Sequence, residues 1–179
     1  MLAHKLRRAA GGSEFPVVEQ TATFTEATAA SETKSVTLPS GIENGDLLVL
    51  ALSLVATRSA STPSGWSSLF NQASGATASH RRLQIFYREA DGGEGSTVSV
   101  TTSGAGGDAW EIGGTSYRIS SWSGAPEVSS SATGSSANPN PASLSPSWGT
   151  RKSLFIAAFA GRAGSVSAYP SNYGSGMSG

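Results

Sequence analysis

The sequence predicts an all-β domain, an antiparallel β-sandwich of immunoglobulin-like or jelly-roll-like kind, with a short N-terminal arm. Three observations predict it. The first is composition. Glycine numbers 22 in 179 residues, and only 13% of residues are charged, against about 25% in an average domain. Gly, Ser and Thr favour turns and strands over long helices. The second is a succession of short runs alternating apolar and polar residues, separated by turn chemistry. The third is a pair of continuous apolar runs of strand length, Leu47 to Ala56 and Leu154 to Ala160. Aromatic and aliphatic residues recur along the chain, which sets it apart from a low-complexity linker. Its length suits one domain with an arm, divided as residues 1–14 and 15–179.

The arm opens with "MLAHKLRRAAGG". Leu2, Ala3, Leu6, Ala9 and Ala10 fall on one face of a two- to three-turn helix, with Lys5, Arg7 and Arg8 on its other sides. Gly11 and Gly12 end it. A helix this short is marginal alone in water. The segment is therefore either disordered or an arm that orders against a partner, and Leu2, Lys5, Leu6, Arg7 and Arg8 are its candidate partner-binding residues.

From Phe15 the pattern is β. "PVVEQTATFT" places Val17, Val18 and Phe24 among threonines. "KSVTLPSG" alternates Val36 and Leu38 with polar residues and turns at Pro39-Ser40-Gly41. Asn44-Gly45 is a short turn signal. The run after it, "DLLVLALSLVA", permits a helix capped by Asp46, but it shows no helical stripe. A helix apolar all round needs cover on every side, whereas a central strand needs two covered faces. A buried central strand is the better reading. The run is about ten residues long, where a membrane span needs about 20, so no membrane insertion is expected.

"STPSGWSSLFNQ" reads as a loop delivering Trp66, Leu69 and Phe70. "RRLQIFYREA" alternates Leu83, Ile85 and Tyr87 with Arg82, Gln84, Phe86 and Arg88, giving one apolar face. With the turn "DGGEG" and "STVSVTTS" it reads as a hairpin. In "YRISSWSG", Tyr117, Ile119 and Ser121 share one face, and Arg118, Ser120 and Trp122 the other. Residues 123–147 read as a long exposed Ser/Pro/Asn-rich loop. "RKSLFIAAFAG" from Arg151 reads as a second central strand, for a total of seven or eight.

Chemistry is thinly represented. There are no cysteines and two histidines, His4 and His80, so disulfides, thiolate sites and a usual structural zinc site are excluded. Neither histidine has a carboxylate neighbour in sequence, and no G-x-S-x-G elbow occurs. Asp91 and Glu94 offer oxygens to calcium, but the spacing fits a solvated hairpin turn better than a calcium loop. "SGAGG" and "IGGTS" lack a Walker lysine and read as turns. No enzyme activity, metal or cofactor is expected. Basic and acidic residues balance at 12 each, and removing Lys5, Arg7 and Arg8 leaves 9 against 12. No general field attracts nucleic acid. No secretory leader is expected, because no apolar core follows the basic residues of the arm. Trp66 and Trp110 read as core. Trp148, beside the long loop, reads as exposed, and with Tyr169 and Tyr173 it is a candidate glycan-binding surface.

"LPSGIENGDLLVLALSL", "TPSGWSSL", "LQIFYREADGGEGSTVSVTTS" and "YRISSWSG" stand in this order over roughly residues 35–160. The ordered set resembles a group of structural proteins of tailed bacteriophages, associated with tail fibres, tail tips and head surfaces. The resemblance implies a non-enzymatic β-sandwich on a virion surface, in a symmetric multimer. It implies neighbours among other virion proteins, and for a fibre it admits a host surface glycan. It carries over no particular binding residue. It also implies one more strand after the second apolar run, whereas this sequence reads "NYGSGMSG". Either the chain is a fragment lacking that strand, or a partner supplies it. The expected role is a peripheral tail component, fibre or tip, anchored through the arm. The alternatives are a capsid decoration protein and a carbohydrate-binding adhesin module.

Overall fold

The computed structural model describes residues 15–28, 33–104, 110–130 and 142–161. Its eight strands are β1 (Val17–Thr28), β2 (Thr33–Thr37), β3 (Leu47–Val55), β4 (Arg58–Ala60), β5 (Ser67–Ala73), β6 (Arg81–Glu89), β7 (Thr97–Gly104) and β8 (Trp110–Ser120). They form a five-stranded sheet in the order β1-β8-β3-β6-β5 and a three-stranded sheet in the order β2-β7-β4. Every pairing is antiparallel. The predicted all-β sandwich is what the chain forms, and no helix occurs among the described residues.

The run at Leu47 is the central strand of the larger sheet, paired with β6 on one side and β8 on the other. Only Ser53 in it escapes full burial. Alternation along a strand sends its residues to opposite faces. Leu48, Leu50, Leu52 and Leu54 enter the core between the sheets with Val36, Leu38, Trp66, Phe86, Val100 and Ile112. Leu47 and Val49 face outward and join Val18, Ile85, Tyr87, Ile119, Trp122 and Leu154. The continuous apolar run thus reflects two covered faces. The turn before it is the expected one, with Gly45 at φ 90°.

Five expectations are corrected. First, β6 and β7 are not a hairpin: β6 lies in the large sheet and β7 in the small one. The "DGGEG" segment carries the chain from one layer to the other. Second, the face of β6 that meets the other sheet is the one bearing Gln84 and Phe86, both 1% exposed. Leu83, Ile85 and Tyr87 are half-buried on the outer side. Polar residues tolerate the inner positions because they are paired there. Third, Trp122 joins the outer cluster of Ile119 and Tyr117. The strand ends at Ser120, and Ser121 takes a left-handed conformation at φ 55°, which breaks the alternation.

Fourth, Gly113 and Gly114 lie inside β8 rather than in a turn. A Cβ on Gly114 would stand 2.0 Å from the Ala51 carbonyl oxygen and 3.1 Å from the Phe24 ring. The glycine exists because backbone and ring approach there. Fifth, residues 151–161 belong to neither sheet. Leu154 packs on the outer cluster, but Phe155, Ile156 and Phe159 are 43%, 37% and 39% exposed. No central place is left for this run: β3 already has both neighbours, and β8 fills the place that a second apolar strand would take. Strand β5 lies where the sequence reads as loop.

Candidate functional site

Two arginines close one end of the core. Leu48 of β3 pairs with Arg88 on one side and Arg118 on the other. Each cation is matched by acids from a neighbouring turn. Arg118 Nε donates to Asp46 Oδ2 at 2.6 Å, and its Nη2 stands 3.7 Å from Glu43 Oε1. Asp46 Oδ2 also accepts the Glu43 amide at 2.7 Å. The hydrogen bond to Asp46 raises the Arg118 pKa, so the guanidinium stays charged. Arg88 Nη2 reaches Asp91 Oδ2 at 3.1 Å and Glu94 Oε1 at 2.9 Å. Asp46 is thus a turn cap and a counter-ion, not a helix cap.

The "DGGEG" carboxylates are used within their own turn. Glu94 accepts the amides of Asp91 and Gly92 at 2.9 and 3.0 Å, and Asp91 accepts the amide of Gly93 at 2.8 Å. Oxygens committed to amides and an arginine are poor ligands for a cation. No cluster of three or more metal-ligating side chains occurs among the described residues. His80 Nδ1 is 2.7 Å from the Thr77 hydroxyl, in a local turn.

Beside this end lies a cleft of about 410 Å³ lined by Asn44, Gly45, Glu89, Ser121, Trp122, Ser123 and Gly124. The Trp122 Nε1–H donates to the Gly45 carbonyl at 2.7 Å. The ring therefore clips the Asn44-Gly45 turn to the chain leaving β8. Sequence reading missed Trp122 as a surface-lining residue because its strand parity placed it on the other face.

The third feature is the surface around residues 151–161. Phe155, Ile156 and Phe159 present large apolar side chains within five residues, while Leu154 between them and Arg151 anchors the segment to the sheet. Phe15, just before β1, and Val17, its first residue, are 45% and 46% exposed. Single exposed apolar residues are ordinary, whereas a run of them marks a contact surface.

Of the predicted site residues, Trp148 is half-buried, and its Nε1–H donates to the Ser153 hydroxyl at 3.0 Å. It is tied to the 151–161 segment rather than standing free as a platform. Tyr169 and Tyr173 lie outside the described residues, as do Leu2, Lys5, Leu6, Arg7 and Arg8. So does His4, and the Trp110 side chain is likewise not described. Trp66 is core, as expected. The two ends of the long loop are tied together by Glu127, which accepts the Ser147 amide at 2.9 Å and the Ser147 hydroxyl. These bonds lower the Glu127 pKa.

No family model, curated protein or solved structure matches the chain.

Proposed function

We propose that this chain is a non-enzymatic structural subunit of a tailed-phage virion, a peripheral tail component of the fibre or tip, held to the particle through its N-terminal arm. The observation that carries the reading is the apolar surface of Phe155, Ile156 and Phe159 on a well-packed sandwich. A subunit of an assembly leaves such a surface for its neighbours. The ordered motifs between residues 35 and 160 support the phage context. The engagement of Asp91 and Glu94 with amides and Arg88 supports a scaffold rather than acid–base chemistry. The role places the protein in the virion, among other tail or capsid proteins.

The test is peptide mass spectrometry of purified particles, combined with immunogold labelling of the chain. The reading expects label at the distal tail. Label on the head makes it a capsid decoration protein, and absence from particles overturns the reading. Deleting residues 1–12 should leave a folded domain that no longer incorporates.

A second reading, a glycan-binding adhesin module, draws on the Trp122 cleft. An aromatic ring beside Asn44, Glu89 and serine hydroxyls offers both an apolar surface and hydrogen-bonding groups to a sugar. A glycan array with wild-type protein and Trp122→Phe separates binder from scaffold.

A further inference from the structure

We infer that residues 151–161 are a strand donor, pairing with the β1 edge of a second copy of this chain. The inference rests on the subunit role proposed above and names the partner of its apolar surface.

The acceptor is the one long open edge among the described residues. Four strands lie at sheet edges: β1, β5, β2 and β4. β4 has 3 residues and β2 has 5. β5 has 7 and breaks its register midway, between Ser68 and Phe70. Short and bulged edges resist added strands. β1 has 12 residues. Its single irregularity, between Val18 and Gln20, lies near its start and leaves Gln20 to Thr28 in regular register. It contains none of the Lys, Arg or Pro residues that commonly blunt an edge.

The donor is a strand sequence outside both sheets. "RKSLFIAAFAG" has strand length, no proline and no acidic residue. It keeps one side chain, Leu154, in the outer cluster and exposes three larger ones. Adding it to an edge would pair its backbone and set Phe155 and Phe159 on one face of the extended sheet, with Ile156 on the other.

Charge selects a second copy and an orientation. The charged residues of β1 are Glu19 and Glu26, and those of the donor are Arg151 and Lys152. Pairing β1 with another β1 would bring like charges together, whereas the donor brings cations. Antiparallel addition with Arg151 opposite Glu26 places Phe155 opposite Ala22. Leu154 and Val18 share one outer cluster, so donor and acceptor lie on the same side of the molecule. Two copies can then exchange segments reciprocally and close as a dimer.

The experiment is light scattering on the full chain over a concentration series, with near-UV circular dichroism to confirm folding. Wild type should be dimeric or larger. Phe155→Ser with Ile156→Ser should be folded and monomeric, since both residues are exposed. Arg151→Glu should weaken association by about 3- to 10-fold, and adding Glu26→Lys should restore it. A wild-type monomer at every concentration overturns the inference. So does an oligomer indifferent to the serine pair, or a failure of Glu26→Lys to rescue Arg151→Glu. The particle analysis is separate. A chain present in virions but monomeric in solution removes the strand donor and leaves the virion role. A segment-dependent oligomer absent from virions does the reverse.

Discussion

Gln84 grips the backbone of Ala60 from the opposite sheet, much as a paired strand would. Its Oε1 accepts the Ala60 amide at 2.6 Å, and its Nε2 donates to the Ala60 carbonyl at 3.0 Å. Gln84 is 1% exposed, in the middle of a core of leucines. One side chain therefore satisfies both polar groups of a short edge strand and fixes the spacing of the two layers. Gln84→Leu leaves the amide and carbonyl of Ala60 buried and unpaired. Each orphaned group costs about 1–3 kcal/mol, so the two together should cost about 2–6 kcal/mol in urea denaturation. An unchanged midpoint would show that the pair contributes nothing to stability.

Arg118→Met should be strongly destabilising. It leaves the Asp46 carboxylate, 8% exposed, without its cation. Breaking one side of a buried pair costs about 3–5 kcal/mol. The double variant Arg118→Met, Asp46→Asn should recover part of the loss, and a double-mutant cycle by chemical denaturation measures the coupling.

Gly114→Ala should destabilise the large sheet by about 1–3 kcal/mol through forced backbone movement. Gly113→Ala is its control. An added Cβ there meets the Phe24 carbonyl at 3.5 Å, an ordinary contact. Thermal denaturation of the two proteins should separate them clearly, and equal melting temperatures would refute the close approach at Ala51.

The Glu127–Ser147 tie should open in acid. The folded pKa of Glu127 lies below its ordinary value of 4.5 because Ser147 donates two hydrogen bonds to the carboxylate. The charged form is the bonded form. Its contribution is present above the ordinary value and is lost as pH falls through the lowered one. The protection factor of the Ser147 amide, its exchange relative to the intrinsic rate at the same pH, should fall below that point. Glu127→Gln should show the lower protection at neutral pH.

The central strand was legible because its burial on two faces is written directly as an apolar run interrupted only at Ser53. The two-layer partition was not. Leu83, Ile85 and Tyr87 look like a core face, yet the inner positions of β6 go to Gln84 and Phe86. A glutamine can sit there only because Ala60, 24 residues away, presents its backbone. No local pattern records such a pairing. The same holds for Gly114, whose need is set by Ala51 and Phe24. Residues 151–161 show the opposite limit. Their strand propensity is plain, but the sheets fill their central places from elsewhere. Trp122 escaped parity counting because one left-handed serine shifts the phase.

The pairing of β1 with β8 has a consequence for biosynthesis. Val17 meets Ser120, and Thr28 meets Trp110, so the first of the described strands pairs with the last of them. At about 5–20 residues per second, β1 waits several seconds before its neighbour exists. During that wait it is a free β-strand in a crowded polysome, beside other nascent copies of itself. The negative charges of Glu19 and Glu26 would then keep identical β1 segments apart.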